Sequence, residues 1–421
     1  MFSQETYAMT QSPMDWIGLV PLHWQLTRFG DVIAMRPKKS VANVPPGALS
    51  FGRVVEKKDD FPEETKSTYQ EVLPGDFLIN PINLNYDLKS LRTAKSDVHV
   101  CVSPAYIVAT ASQESPDFIK WLLYDFDLRY MKTLGAGVRQ TLTFQDVKKC
   151  LIHVPPLLEQ QSIANFLDRE TSIIDEKIGL ISRKQGLLAE LRKAIIHDAV
   201  TKGLDKAVCL KNSSVNWIGE IPLDWHIARI KDVAKVGAGN PAPQPSLISD
   251  DNSEMPFLRV SDLSKCVNDI AIKTRDHVAE PISFGLKIWP KGTIVFPKSG
   301  ESIRTNARAM LDRNMTVVSH LACLKANAKI FNPFLFWLLK AVNFENEINQ
   351  TALPALGIND IENFKIPLPP LQMQQRIVDH LDATVFRLNR IESLLRRQAE
   401  LLKEQRQALI HEVVTGKMRV I

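Results

Sequence analysis

The stretch VPPLLEQQSIANFLD, Val154–Asp168, returns as LPPLQMQQRIVDHLD, Leu368–Asp382, 214 positions later. Aligned without gaps at that offset, the two copies and their continuations share roughly twenty identities over about fifty positions, a sign of internal duplication. The pairs include Pro155/Pro369, Pro156/Pro370, Gln160/Gln374, Gln161/Gln375, Leu167/Leu381, Asp168/Asp382, His197/His411 and Thr201/Thr415. Two prolines followed by a proline-free apolar periodicity read as a helix entrance, since proline is tolerated in a first helical turn. Glu159 falls where a negative charge suits the helix dipole. The apolar series Ile163, Leu167, Ile174, Ile178, Ile181, Leu188, Leu191, Ile195 and Ile377, Leu381, Leu388, Ile391, Leu395, Leu402, Leu409 predict two long helices. Each ends near a glycine, in TKG and TGK, and the two narrow stripes suit pairing with each other.

A second repeat lies upstream. DWIGLVPLHW, Asp15–Trp24, recurs as NWIGEIPLDW, Asn216–Trp225, at an offset of 201. Each half therefore reads as a tryptophan box, a mixed region, a Pro-Pro box and a long helix. The mixed regions hold short β-like runs such as ALSFGRVV, DFLINPI, GTIVFP and TVVSHLACLKA, broken by Gly, Pro, Asn and Asp, with one helical stretch near Phe118–Lys132 and another near Pro333–Asn349. The predicted class is α+β, with two globules of irregular sheet and short helices, two long antiparallel helices, and a pseudo-two-fold tandem repeat. The boundaries are 1–156 and 204–370 for the globules and 157–203 and 371–421 for the helices. The first long helix leads into the second tryptophan box, and the second helix ends the sequence. Joining end to start would close a ring, which predicts neighbouring termini.

A sequence of 421 residues is too long for one ordinary core. A net charge of +5 is mild for a polyanion binder, and acidic and basic residues nearly balance within each mixed region, so any basic face must come from sidedness. Five scattered cysteines without a C-x-x-C pair read as reduced thiols. The start lacks a basic and apolar leader pattern and the most apolar run is short, which predicts a cytoplasmic protein without a membrane role. Reaction motifs are missing: there is no G-x-x-x-x-G-K-[ST], no G-x-G-x-x-G, no H-E-x-x-H and no N-P-P-[FY]. The GAG tripeptides at 135–137 and 237–239 read as turns, and His197 and His411 as helix-packing or capping residues. No catalytic residue and no metal site is expected.

The phrases GAGVRQTLTFQDVKKCLIHVPPLLEQQSIANFLDRE, WIGEIPLDW, GDFLINPINLNYDLKS, GTIVFPKSGESIRTNARAML and ELLKEQRQALIHEVVTGKM resemble those of the specificity subunit of type I restriction–modification enzymes, in the same order and over nearly the whole sequence. Two places depart from the pattern. Met373 stands where the first copy has Glu159, and ALPALGINDI lacks the Gly-x-Arg of Gly137 and Arg139. The resemblance implies two target-recognition domains reading double-stranded DNA, with the helices as spacer and docking surface. It implies partners as well: two methyltransferase subunits using S-adenosylmethionine, and restriction subunits using ATP and Mg to translocate and cleave. No cofactor is expected on this chain. Candidate DNA contacts are Lys38, Lys39, Asn80, Asn83, Asn85, Lys89, Arg139, Lys298, Ser299, Arg304 and Arg308, because Asn suits adenine and Arg or Lys suits guanine or phosphate. Each is equally accounted for as a solvated or turn-forming loop residue. Gln160, Gln161, Leu167, Asp168, Gln374, Gln375, Leu381 and Asp382 are the candidate partner-docking positions. Two alternatives stand beside this reading. One is a coiled-coil interaction scaffold with no DNA role; the other, a stand-alone nuclease or methylase, has no motif behind it.

Overall fold

The computed structural model describes residues 7–39, 43–50, 52–58, 68–82, 90–135, 141–244, 248–249, 254–266, 269–271, 274–279, 281–342, 344 and 355–420. The chain divides into two compact units, Met1–Ser182 with Arg396–Ile421, and Arg183–Leu395. Each unit therefore takes the front of one long helix and the back of the other, a grouping that cuts across the element-by-element boundaries above.

The long helices run Leu157–Lys202 and Leu371–Val414, about 69 and 66 Å at 1.5 Å per residue. Proline carbonyls start both of them. Pro156 O accepts the N–H groups of Glu159 and Gln160 at 2.9 and 3.0 Å, and Pro370 O accepts those of Met373 and Gln374 at the same distances. The helices pair antiparallel: Asp175 meets Arg406 at 3.0 Å in unit 1, and Arg192 meets Glu392 at 2.7 Å in unit 2. Most of the apolar stripe faces inward, but Leu191 and Ile391 stay 48% and 44% exposed.

The tryptophan box is a hairpin followed by a strand, built identically in both units. Met9–Gln11 pairs with Leu19–Pro21, and Leu210–Asn212 with Glu220–Pro222. Gln25–Arg28 pairs with Leu151–Val154, and His226–Arg229 with Lys365–Leu368, in the same register. Trp24 and Trp225 are buried beside the helix ends. Around this frame the sheets share a strand order and differ in what is added to it. Unit 1 has a four-stranded antiparallel sheet in the order Ile33–Met35, Ile107–Ala111, Phe77–Ile79, Thr93–Lys95. Unit 2 repeats that antiparallel order in Ala234–Ala238, Leu321–Ala326, Ile294–Pro297 and Ala309–Leu311 and adds Ile270–Ala271 parallel to the last. Its second five-stranded sheet holds the parallel pair Phe257 with Thr316, where unit 1 has a parallel bridge between Pro46 and Cys101. The helix Pro116–Arg129 continues into a 3-10 turn, Met131–Leu134; its counterpart in unit 2 is Asn332–Ala341.

Unit 1 gathers both ends of the chain into one core. Its core joins Phe29, Phe118 and Phe126 to Leu167 of the first long helix and to Ile410 and Val413 of the second. Close to the two chain ends, the Arg419 guanidinium lies 5.3 Å from the Tyr7 ring centre. Gly416 ends the second helix at φ +71, and a Cβ there would lie 2.4 Å from the Pro21 ring and 2.9 Å from Trp24. Gly416→Ala is expected to cost about 2–4 kcal/mol, combining a left-handed backbone with overpacking. By contrast Gly186 lies within the first helix with nothing within 4 Å of its would-be Cβ. Gly186→Ala should therefore stabilise by about 0.4–1 kcal/mol. Denaturant melts of the two variants check both signs.

A buried carboxylate ties an edge strand of unit 1 to its helix. Asp127, fully buried, accepts the N–H groups of Arg92 and Thr93, the latter at 3.0 Å, and the Thr93 hydroxyl at 3.3 Å. Burial, opposed by these bonds and by Lys132, pushes its carboxyl up to about 6. The folded unit then holds this proton more tightly than the unfolded chain, in which an aspartate titrates near about 4. Its contribution to stability is full below that value and is lost as pH rises through about 6. Asp127→Asn is expected to flatten this dependence, worth about 2 kcal/mol between pH 4 and 7, in melts across that range.

Candidate nucleic-acid interface

The predicted contact residues separate once placed. In unit 1, Lys38 and Lys39 are exposed on the segment after the strand Ile33–Met35. That segment is anchored from below: Arg36 forks onto the buried Asp76 at 2.6 and 2.7 Å, and Lys39 O accepts the Glu71 N–H at 3.0 Å. Asn80 is half-buried and forms a turn, its Oδ1 accepting the Ile82 N–H at 3.2 Å. Asn83, Asn85, Lys89 and Arg139 lie outside the described residues.

Unit 2 brings three candidates together. Lys298 follows directly on the strand Ile294–Pro297, and its N–H and C=O are held by His320 O and Leu356 N at 2.9 and 2.8 Å. Ser299 Oγ shares a hydrogen bond with His320 Nδ1 at 2.6 Å. Arg304 is exposed on the 3-10 turn Glu301–Thr305, where its pair with exposed Glu301 at 3.2 Å contributes little and leaves the guanidinium available. Arg308 belongs elsewhere. It is 4% exposed, 4.4 Å from the centre of Phe296 and 5.5 Å from that of Phe344, and it donates to Leu339 O and Ala307 O at 3.3 and 3.0 Å. Burial pulls its guanidinium down to about 9. With Asn306, left-handed at φ +50 and donating to Lys340 O at 3.2 Å, it fixes the turn from behind.

The eight helix positions also divide. Gln160 and Gln374 are buried and do one job in both units. Gln160 Oε1 accepts the Ser115 N–H at 2.9 Å while its amide donates to Pro155 O at 2.9 Å. Gln374 Oε1 accepts the Phe331 N–H at 2.6 Å and donates to Pro369 O at 2.8 Å. Leu167 and Leu381 are core residues. Asp168 and Asp382 each accept an indole N–H at 2.8 Å, from Trp121 and Trp337. These six positions hold each unit to its own helix. Gln161 and Gln375 alone of the eight face outward without a bond to a neighbouring element among the described residues.

Glu159 does more than meet a helix dipole. It is buried, and it accepts the Tyr7 hydroxyl at 2.9 Å, the Trp24 indole N–H at 3.1 Å and a bond from His23 at 2.9 Å. Burial, helped by this carboxylate, pushes the Tyr7 phenol up to about 12. Met373 occupies the matching site in unit 2, so that unit lacks this lock. His411 bonds Asp125 at 2.9 Å and His197 bonds Trp217 O at 2.8 Å, so both pack their helix against its unit. The GAG at 237–239 is not a turn; Gly237 lies inside the strand Ala234–Ala238, and residues 136–137 of the other lie outside the described residues.

A family profile, the type I restriction modification DNA specificity domain, matches residues 80–182 and 222–401. The chain belongs to this family. It is 30% identical over 301 residues to the type I restriction enzyme MjaIX specificity subunit of Methanocaldococcus jannaschii, a match spanning 69% of this chain and 66% of that one. To the MjaVIII specificity subunit of the same organism it is 24% identical over 436 residues, 95% and 94% of the two chains. Among solved structures, a chain from a study of complex assembly and conformational transition of the type I R-M system has the same fold at TM-score 0.74 and 18% identity, covering 95% of this chain and 99% of that one. The HsdS subunit from Thermoanaerobacter tengcongensis aligns at TM-score 0.53 and 20% identity, covering 97% and 100%. Among the described residues no helix is long and apolar enough to cross a membrane, and no group of His, Cys, Asp or Glu is placed to hold a metal ion. None of the five cysteines is in a disulfide.

Proposed function

We propose that this family member is the non-catalytic reading subunit of a cytoplasmic type I restriction–modification enzyme, recognising an asymmetric bipartite DNA target with one half-site per unit. The observation that carries the reading is the contrast within the duplication. The tryptophan box, the Pro-Pro box and the helix ends repeat in sequence and in register, whereas the sheets between them keep a common strand order among the described residues but carry unlike sequence and unlike additions. A shared frame with unlike insertions suits two readers of unlike sequence. Lys38 and Lys39 in unit 1, and Lys298, Ser299 and Arg304 in unit 2, are the described candidates for contact. Each good bidentate contact to a base edge discriminates by about 1–3 kcal/mol, while lysines on phosphate set register and affinity. The paired helices act as a spacer of fixed length. Gln161 in unit 1 and Gln375 in unit 2, each outward on its helix, are the positions left as candidates for docking two methyltransferase subunits, which carry S-adenosylmethionine. Restriction subunits bring ATP and Mg and join the same assembly.

Methylome sequencing of cells expressing this chain with its methyltransferase partner tests the reading. Two unlike half-sites separated by a constant unread gap are expected. Methylation with a single continuous target, or none that depends on this chain, contradicts it. The scaffold alternative predicts the latter.

A further inference from the structure

In unit 2 the antiparallel ladder between Ile294–Pro297 and Leu321–Ala326 ends at the pair Pro297 with Leu321. Just beyond it Lys298 is held from both sides, its N–H by His320 O at 2.9 Å and its carbonyl by the Leu356 N–H at 2.8 Å. Ser299 bridges to Ala355, and its carbonyl accepts the Ser302 hydroxyl at 3.2 Å. Gly300, at φ +75, then turns the chain into Glu301–Thr305. These ties fix the backbone of Ser299, and its hydroxyl shares a 2.6 Å bond with His320 Nδ1. Two polar side chains from different segments are thereby locked together at an exposed end of the sheet. His23, His99 and His411 by contrast bond carboxylates. Among the described residues neither the Ser299 hydroxyl nor the His320 ring has a second hydrogen-bond partner. Unit 1 makes the matching backbone tie, from the Leu142 N–H to Pro81 O at 3.1 Å, but there the next residue is Ile82, which has no hydroxyl to share.

What the pair offers is the same in either tautomer of a neutral imidazole. With Nδ1 bare, the ring takes the serine proton; the hydroxyl oxygen keeps a lone pair free and Nε2 carries an N–H. With the proton on Nδ1, the ring donates to the serine; the hydroxyl proton is free and Nε2 keeps a lone pair. One donor and one acceptor remain in both cases. Phosphate oxygens only accept and would use half of that set, whereas base edges in the major groove mix donors with acceptors and can use all of it.

We propose that Ser299 and His320 act as one hydrogen-bonding pair that reads a base edge in the half-site of unit 2, with His320 as a specificity-determining residue. The assignment deepens the DNA-reading function and rests on it. Its test uses Ser299→Ala, His320→Phe, their double variant and His320→Asn, in the full chain assembled with its methyltransferase partner. Affinity is measured by fluorescence anisotropy over a salt series, for a duplex carrying the methylated target, for duplexes changed at single target positions and for an unrelated duplex. Ser299→Ala and His320→Phe should each weaken the target duplex by about 5- to 150-fold and leave the unrelated duplex and the salt slope unchanged. Discrimination should relax at the same position in both variants, within one half-site, and the double variant should be little worse than either single one. His320→Asn, which restores a polar group able to bond Ser299, should recover part of the loss. Equal weakening on every duplex, with a salt slope lowered by about 0.9 per contact, would assign the pair to a phosphate and overturn the base reading. Losses that add, or that relax different positions, overturn the pairing. A lower melting temperature with no position relaxed marks a structural bond only, and unchanged affinities dismiss the pair as a contact. A wild-type assembly that binds neither target nor unrelated duplex sinks the DNA reading itself, an outcome distinct from normal wild-type binding that the variants fail to alter.

Discussion

Gln374→Leu is expected to destabilise unit 2 by about 2–6 kcal/mol without opening a cavity. Leucine nearly matches glutamine in volume, so the loss is polar. Gln374 is fully buried, and its two ends satisfy the Phe331 N–H and the Pro369 carbonyl. Phe331 is the N-cap of the helix Asn332–Ala341, whose first N–H groups have no intrahelical acceptor. Each buried backbone group left without a partner costs about 1–3 kcal/mol, which gives the total. Hydrogen exchange provides the readout. Amides of residues 331–342 should lose protection in the variant, and those of residues 116–129 in unit 1 should not. Gln160→Leu should do the converse. Unchanged protection around residue 331 would show that the glutamine is not the tie between helix entrance and sheet domain.

The frame was legible in the sequence because the same residues do the same work twice. Offsets of 201 and 214 bring the strands Gln25–Arg28 and Leu151–Val154 into the register of His226–Arg229 and Lys365–Leu368. The helix entrances at the two Pro-Pro boxes and the glycine stops are equally local signals. What repetition does not reveal is the side on which a residue is needed. Gln160, Gln374, Leu167 and Leu381 recur because each unit must be fastened to its helix, and that puts them inside rather than on a docking face. Arg308 looked like any cation in a polar loop; only the tertiary arrangement of Phe296, Phe344 and the Leu339 carbonyl makes it a core residue. Glu159 has a visible place at a helix start, but its partners Tyr7, His23 and Trp24 lie about 140 residues upstream and no periodicity announces them.

Lengthening both long helices by four residues is expected to abolish methylation at the original sites and create it at new ones. Four residues add about 6 Å to each helix and nearly one whole turn, so the apolar stripes stay in phase within about 40°. On DNA, 6 Å is one to two base-pair steps of 3.4 Å. A half-site displaced by that much loses its base contacts. At about 1–3 kcal/mol for each good contact, two lost contacts already reduce recognition of the old target by about a hundredfold. The side chains that read bases are untouched, so each half-site should keep its sequence. Only the stride changes.

Methylome sequencing of cells carrying the lengthened chain with its methyltransferase partner therefore tests the claim that stiff paired helices hold two independent readers at a fixed spacing. The predicted result is the same two half-sites separated by a gap one or two base pairs longer. Altered half-sites at the original gap would contradict it.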